Sequence, residues 1–421
     1  MLTIRLSTTL VLLLTLSLGG ATIAASATPF SECTEDRPHV LSDAVYRICT
    51  PPDFWIQNRQ LVIWAHGYVD EFQPIEIPED QVCFTEDLCI NDIINFLGYD
   101  FATTSYAVNG LAVLPGIQDV LELIDLTEDE IGMEPIKVFV TGASEGGLIT
   151  ALTVEDHFDQ VDGGLATCGP IGDFKRQIRY FGDFRVIFDY FYPGVLPGTP
   201  TEIPQQLIDN WDTYYNDTIF PLVTAPENMH LTRQLFDVTR APYDPNDVAA
   251  TAEVSLSDLL WYNVFATNNA NDVLGGNPYD NNGKVYNGSD DDDALNAGVQ
   301  RISADPVAFA EMDNYQTTGV LVSPLVTLHT LLDQQVPAEH ELWYLDKTRE
   351  SGAQEAGLHV NHPMTLGYGH CLFSLQDVIS AFNLMIEIST GEAIPAERID
   401  ALREFVGEEL WTDQRSWGGG R

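Results

Sequence analysis

Residues 135–158 constrain this chain most. Residues 135–141 (Pro-Ile-Lys-Val-Phe-Val-Thr) are a short β-branched and aromatic run, the pattern of a buried strand. Gly142-Ala143-Ser144-Glu145-Gly146 follows at once, and residues 148–158 read as a helix. A strand that turns straight into a helix must reverse within a few residues, and Gly142 and Gly146 allow that without side-chain clashes. A serine at the tip of such a turn has its hydroxyl forced clear of the sheet, beside a helix N-terminus that favours developing negative charge. The bare G-x-S-x-G pattern recurs by chance, and an ordinary Gly-rich turn is the competing reading. The strand before it and the helix after it make Ser144 a candidate nucleophile.

The rest of the chain supplies a rhythm that suits this turn. Residues 60–66 and 101–108 read as strands, 115–131 as a helix and 163–168 as a strand. Near the end, 319–329 reads as a strand, with helices over 337–349 and 375–388. Strands that are apolar throughout and alternate with helices indicate an α/β architecture, a mostly parallel sheet flanked by helices. Between residues 171 and 315 the alternation is lost. Aromatics crowd 180–192, prolines and glycines punctuate 193–204, and Asn and Asp dominate 268–293. That stretch reads as a large, partly helical cap inserted into one catalytic domain formed by 28–170 and 316–421. Its aromatics either line a pocket or form its own core.

The first 27 residues read as a secretory signal peptide. Arg5 is followed by an apolar run over 10–18 and by Ala25-Ser26-Ala27, the small-x-small pattern of a cleavage site. The run is too short for a good spanning helix, and nothing else in the chain is long and apolar enough to span a bilayer. Cleavage before Thr28 leaves 394 residues, exported to the periplasm or secreted. Export makes Cys33, Cys49, Cys83, Cys89, Cys168 and Cys371 disulfide candidates. Six thiols allow 15 pairings. Proximity suggests Cys33 with Cys49 and Cys83 with Cys89, leaving Cys168 with Cys371.

Composition excludes some partners. With 63 acidic and 19 basic residues the chain carries a formal charge of −44, becoming −45 once Arg5 is removed. Such a chain does not neutralise phosphates, so nucleic acid is excluded, and anionic membrane surfaces repel it. Its 45% hydrophobic content still suffices for a large core. No cysteine and histidine spacing suits zinc. The acidic run 280–293 offers Asp280, Asn282 and Asp290 as weak calcium ligands. It does not fit the EF-hand spacing, because Gly283 would place Pro278 at the first ligand position. A solvated acidic loop is the simpler reading.

On the strand, the elbow and this rhythm, the chain resembles the α/β-hydrolase superfamily over about 60–169 and 319–388. The resemblance implies partners in the order nucleophile, acid, histidine. Asp333, in the loop after the late strand, matches the acid. His370, in Gly367-Tyr-Gly-His370 before a helix, matches the base. His362 is its competitor; His329 reads as core, and His340 falls in a helix. His66-Gly67-Tyr68 looks like the superfamily's oxyanion loop, with His66 and Gly67 shaping it and the backbone N–H groups of Tyr68 and Glu145 as donors. Glu145 is expected to pair with an arginine or to face solvent. Cys371 directly after His370 is similar to the tannase and feruloyl esterase pattern, although Ala143 stands where that family has its other cysteine. Ser144-Glu-Gly-Gly147 is similar to the elbow of prolyl oligopeptidase-like enzymes, here without room for a propeller. The expected activity is a secreted serine hydrolase acting on small or polymeric carboxylic esters, without a cofactor and with no protein partner inferable. The alternatives are a propeller-free serine peptidase or a non-catalytic binding protein on a hydrolase scaffold.

Overall fold

The computed structural model describes residues 30–417, apart from 87 and 245. The signal-peptide reading of 1–27 therefore lies outside the described residues. A nine-stranded sheet organises the molecule. Its main path runs Glu32–Cys33, Val45–Thr50, Asp100–Thr104, Gln60–Ala65, Lys137–Ala143, Gly163–Thr167, Leu325–Leu328, His359–Asn361. The first two pairings are antiparallel, and from Asp100–Thr104 onward every pairing is parallel. Parallel strands need crossovers, and Val113–Ile131, Glu145–Asp156 and Glu339–Ser351 supply three of them as helices.

These strands are apolar throughout because both faces are covered. Leu61 to Ala65 and Gly163 to Thr167 are buried without alternation. One face packs against Ile117, Val120, Leu148, Leu152 and Tyr344. The other packs against Ile93, Ile94, Ile379, Phe382 and Met385, from helices Ile90–Phe96 and Leu375–Thr390. A third cluster, around Phe184, Phe188, Trp211, Phe236 and Leu260, belongs to the helices between Phe174 and Leu274. The ends of that region join the first core, through Phe174, Met312 and Tyr315.

The expected elements appear with shifted ends. The strand expected over 101–108 spans Asp100–Thr104, and the helix expected from 148 starts at Glu145. The strand expected over 319–329 is reduced to Leu325–Leu328, with a short Thr330–Leu332 strand beyond it. Gly319 has a φ of 72°, and Glu155 accepts the backbone N–H groups of Thr318 and Gly319, so this segment is held as a turn. Three disulfides join Cys33 to Cys49, Cys83 to Cys89 and Cys168 to Cys371. No helix among the described residues is long and apolar enough to cross a membrane.

Topology places the site. The chain leaves Gln60–Ala65, pairs Asp100–Thr104 on one side of it, then returns to pair Lys137–Ala143 on the other. At such a switch, consecutive loops diverge and open a crevice beyond the carboxyl ends of the strands. Register puts Ala65 opposite Gly142, and Ala143 opposite Thr167. The loops beginning at His66, Ser144 and Cys168 therefore emerge at one level on that edge.

Candidate active site

Ser144 occupies the tip of the turn with φ 57° and ψ −120°, a left-handed backbone that a serine adopts only when its surroundings impose it. Its N–H donates to the Thr167 carbonyl at 2.9 Å, which ties the elbow to the next strand. The two glycines are required by close approach. A Cβ on Gly146 would lie 2.0 Å from the Ala65 carbonyl oxygen, and one on Gly142 would lie 2.3 Å from the Gly146 oxygen. The helix start thus sits directly on the His66 loop.

That loop is built around a neutral histidine. Burial pushes the His66 imidazole down to about 4. Its Nδ1 is 2.7 Å from the Gly67 carbonyl, an acceptor only, so Nδ1 carries the proton. Tyr106 stacks on the ring and donates its hydroxyl to the His66 carbonyl at 2.9 Å. The Gly67 N–H donates to Gln81 Oε1 at 2.7 Å. The Tyr68 and Glu145 N–H groups have no protein acceptor among the described residues.

Asp333 and His370 meet. His370 Nδ1 lies 2.8 Å from Asp333 Oδ2 and 3.0 Å from Oδ1. The carboxylate only accepts, so the proton sits on Nδ1 and Nε2 keeps its lone pair. The Gln335 and Val336 N–H groups each donate to Asp333 Oδ1 at 2.9 Å, which orients the acid. Cys371 carries the loop to its place through its bond to Cys168, the residue after the strand that binds the elbow. The Ser144 hydroxyl makes no hydrogen bond to a protein group among the described residues. His370 Nε2 lies 3.4 Å from Cys371 Sγ.

Of the other histidines, His329 is buried beside the acid, 3.7 Å from Asp333 Oδ2 and 2.9 Å from the Val336 carbonyl; His340 accepts from the Gly172 N–H at 3.1 Å and His359 is held by Thr348 at 2.8 Å. His362 lies 3.3 Å from Ser380. Among the calcium candidates, Asp280 accepts the Asn282 N–H at 3.0 Å and the Ala304 N–H at 3.2 Å, and the backbone N–H of Asp290 donates to Gln234.

Glu145 departs from both expectations for it. It pairs with no arginine and does not face solvent: it is 8% exposed. Its Oε1 accepts the Ala112 N–H at 3.0 Å and its Oε2 has no partner. Burial pushes the carboxyl up to about 8, which favours the neutral acid near pH 7. Asp258 was not singled out by the sequence, because nothing in its local pattern marks it. From helix Ser257–Leu274 its Oδ2 accepts from Gln334 Nε2 at 2.7 Å and Gln335 Nε2 at 2.9 Å, clamping the Asp333 turn. Gln177 and Tyr180, from helix Phe174–Phe191, donate to the Gln335 and Gln334 carbonyls.

A cavity of about 940 Å³, its open mouth included, adjoins the serine. Tyr68, Ser144 and Glu145 lie on its wall, with Phe181, Tyr262 and Val336 around them. Of the aromatic stretch 180–192, Phe181 faces this space while Phe184, Phe188 and Tyr192 build the third core. Asp333 stands behind the wall, where the lining residues Gln335 and Val336 donate to it; His370 is not among the lining residues.

No protein-family model matches the chain, and no curated protein matches its sequence. Solved structures do. An esterase from Aspergillus oryzae aligns with a TM-score of 0.50 at 13% identity, over 84% of this chain and 78% of that one. Feruloyl esterase B from the same organism aligns with a TM-score of 0.48 at 12% identity, over 83% and 79%. At 13% identity the likeness to the first of these concerns the path of the backbone alone. The chain has the α/β-hydrolase fold.

Proposed function

We propose that the protein is a secreted serine hydrolase that cleaves carboxylic esters. One observation carries this reading. A hydrogen-bonded Asp333–His370 pair, 2.8 Å apart, is bonded through Cys371 to the strand beside a serine held at φ 57°. In the proposed mechanism His370 Nε2 takes the Ser144 proton as Oγ attacks the ester carbonyl. Asp333 stabilises the imidazolium, and the unengaged N–H groups of Tyr68 and Glu145 receive the oxyanion. His370 returns the proton to the departing alcohol, and water repeats the sequence to release the acid. No metal or organic cofactor is needed. The helices between residues 171 and 315 act as the cap, closing the cavity and holding the acid loop. Export rests on the three disulfides and the leading apolar segment.

A fluorophosphonate probe tests the nucleophile: it should label the folded protein and leave Ser144→Ala unlabelled. Equal labelling of both, or of neither, defeats the reading. Parallel assays of p-nitrophenyl esters and aminoacyl anilides read the bond type, with turnover expected on the esters.

A further inference from the structure

Glu145 directly follows the proposed nucleophile, lies on the wall of the same cavity and is buried with one oxygen unpartnered. Its bonding locates its proton. Oε1 accepts the Ala112 N–H at 3.0 Å, so the proton of the neutral acid sits on Oε2. A buried O–H without an acceptor costs free energy unless a ligand supplies one. We propose that the Glu145 carboxyl is a donor subsite for an oxygen acceptor, an ether or carbonyl, carried on the substrate acyl group close to the scissile carbonyl. This rests on the esterase reading and extends it to the substrate class: acyl groups with an apolar body and an oxygen near the ester.

The surroundings support a donor here. The groups that sense Glu145 electrostatically are Tyr68, Tyr106, Tyr262 and Tyr315, all raised above the usual tyrosine value by burial and all neutral at pH 7. No lysine, arginine or histidine among the described residues is bonded to the carboxyl. These surroundings favour the acid over the anion. A hydrophobic pocket discriminates weakly between near-isosteric substrates, whereas a buried group that must be paired discriminates more strongly.

The test uses p-nitrophenyl butyrate and its isostere p-nitrophenyl methoxyacetate, with the valerate and 3-methoxypropionate pair for the next position. The readout is the ratio of kcat/KM, ether over alkyl, so a general loss of activity divides out. The inductive effect of the ether oxygen divides out when variants are compared. For at least one pair, Glu145→Met should lower the ratio about fivefold to tenfold. Glu145→Gln keeps an N–H donor and should retain the ratio. In the parent the ratio should fall as pH rises through about 8; in Glu145→Gln it should stay level. Equal ratios in the parent and Glu145→Met overturn the proposal. So does a fall confined to Tyr68→Phe, which removes a buried, unpartnered hydroxyl on the same wall. Failure of the esterase reading is separable. If no ester turns over, calorimetric binding of butyranilide and methoxyacetanilide to Ser144→Ala, with and without Glu145→Met, reads the same preference without chemistry.

Discussion

Asp333 is oriented by two backbone N–H groups and faces His370 Nδ1, so its role in the proposed mechanism is to hold one tautomer and one charge. Asp333→Asn should keep the fold but present the wrong tautomer, lowering kcat on p-nitrophenyl butyrate by about 10³-fold or more. A kcat within tenfold of the parent would remove Asp333 from the triad. Glu145 gives a second residue-level expectation, on stability. The folded chain holds its proton up to about pH 8, whereas an unfolded chain releases it at about 4.3. Between those values the folded state binds more protons, so stability falls as pH rises and levels off above pH 8. Glu145→Gln cannot ionise. The difference in Tm between Glu145→Gln and the parent should therefore widen in favour of glutamine from pH 5 to pH 9. A difference that does not change with pH would mean the carboxyl is not buried as a neutral acid.

At the scale of elements, the Cys168–Cys371 bridge closes the longest loop of the three, joining residues 203 positions apart in sequence. Both cysteines take left-handed backbone, φ 45° and 49°, which two free side chains would have little reason to adopt. The bridge binds the loop of His370 to the edge where the Ser144 strand ends. Replacing both cysteines by alanine should lower kcat by about 10²-fold, the effect of a misplaced base, and stability by about 2–5 kcal/mol. Calorimetry and ester kinetics on the same samples separate the two losses. Unchanged kcat with lowered Tm would confine the bridge to stability. The elements themselves were readable where local pattern sufficed. Apolar runs with crossover spacing announced the strands at Gln60–Ala65, Lys137–Ala143 and Gly163–Thr167. The segment 319–324 misled, because Val320, Leu321 and Val322 form an apolar, β-branched run like a strand's, while Glu155, distant in sequence, holds it as a turn.

Over the whole molecule, charge is the dominant long-range term. Arg37, Arg47, Lys137, Lys175, Arg403 and others pair with carboxylates, yet 63 acids face 19 bases. The excess repels itself across the surface, and salt screens that repulsion within about 10 Å at 0.1 M. Tm should rise with sodium chloride between about 0.05 and 1 M in scanning calorimetry; a fall would show that ion pairs outweigh the net repulsion.

The sequence alone determined the alternation of strands and helices and the elbow at Ser144, because each is written in local spacing; the resemblance to the α/β-hydrolase superfamily implied the order Ser144, Asp333, His370. Proximity in sequence also narrowed the cysteine pairings. The tertiary structure decided what depends on convergence. It brought Asp258, Gln177 and Tyr180 from the inserted helices onto the Asp333 turn, across separations of 76 to 158 residues. It also buried Glu145 where no cation reaches it. Burial is a property of packing, and an acid acquires its protonation state only from the groups that surround it.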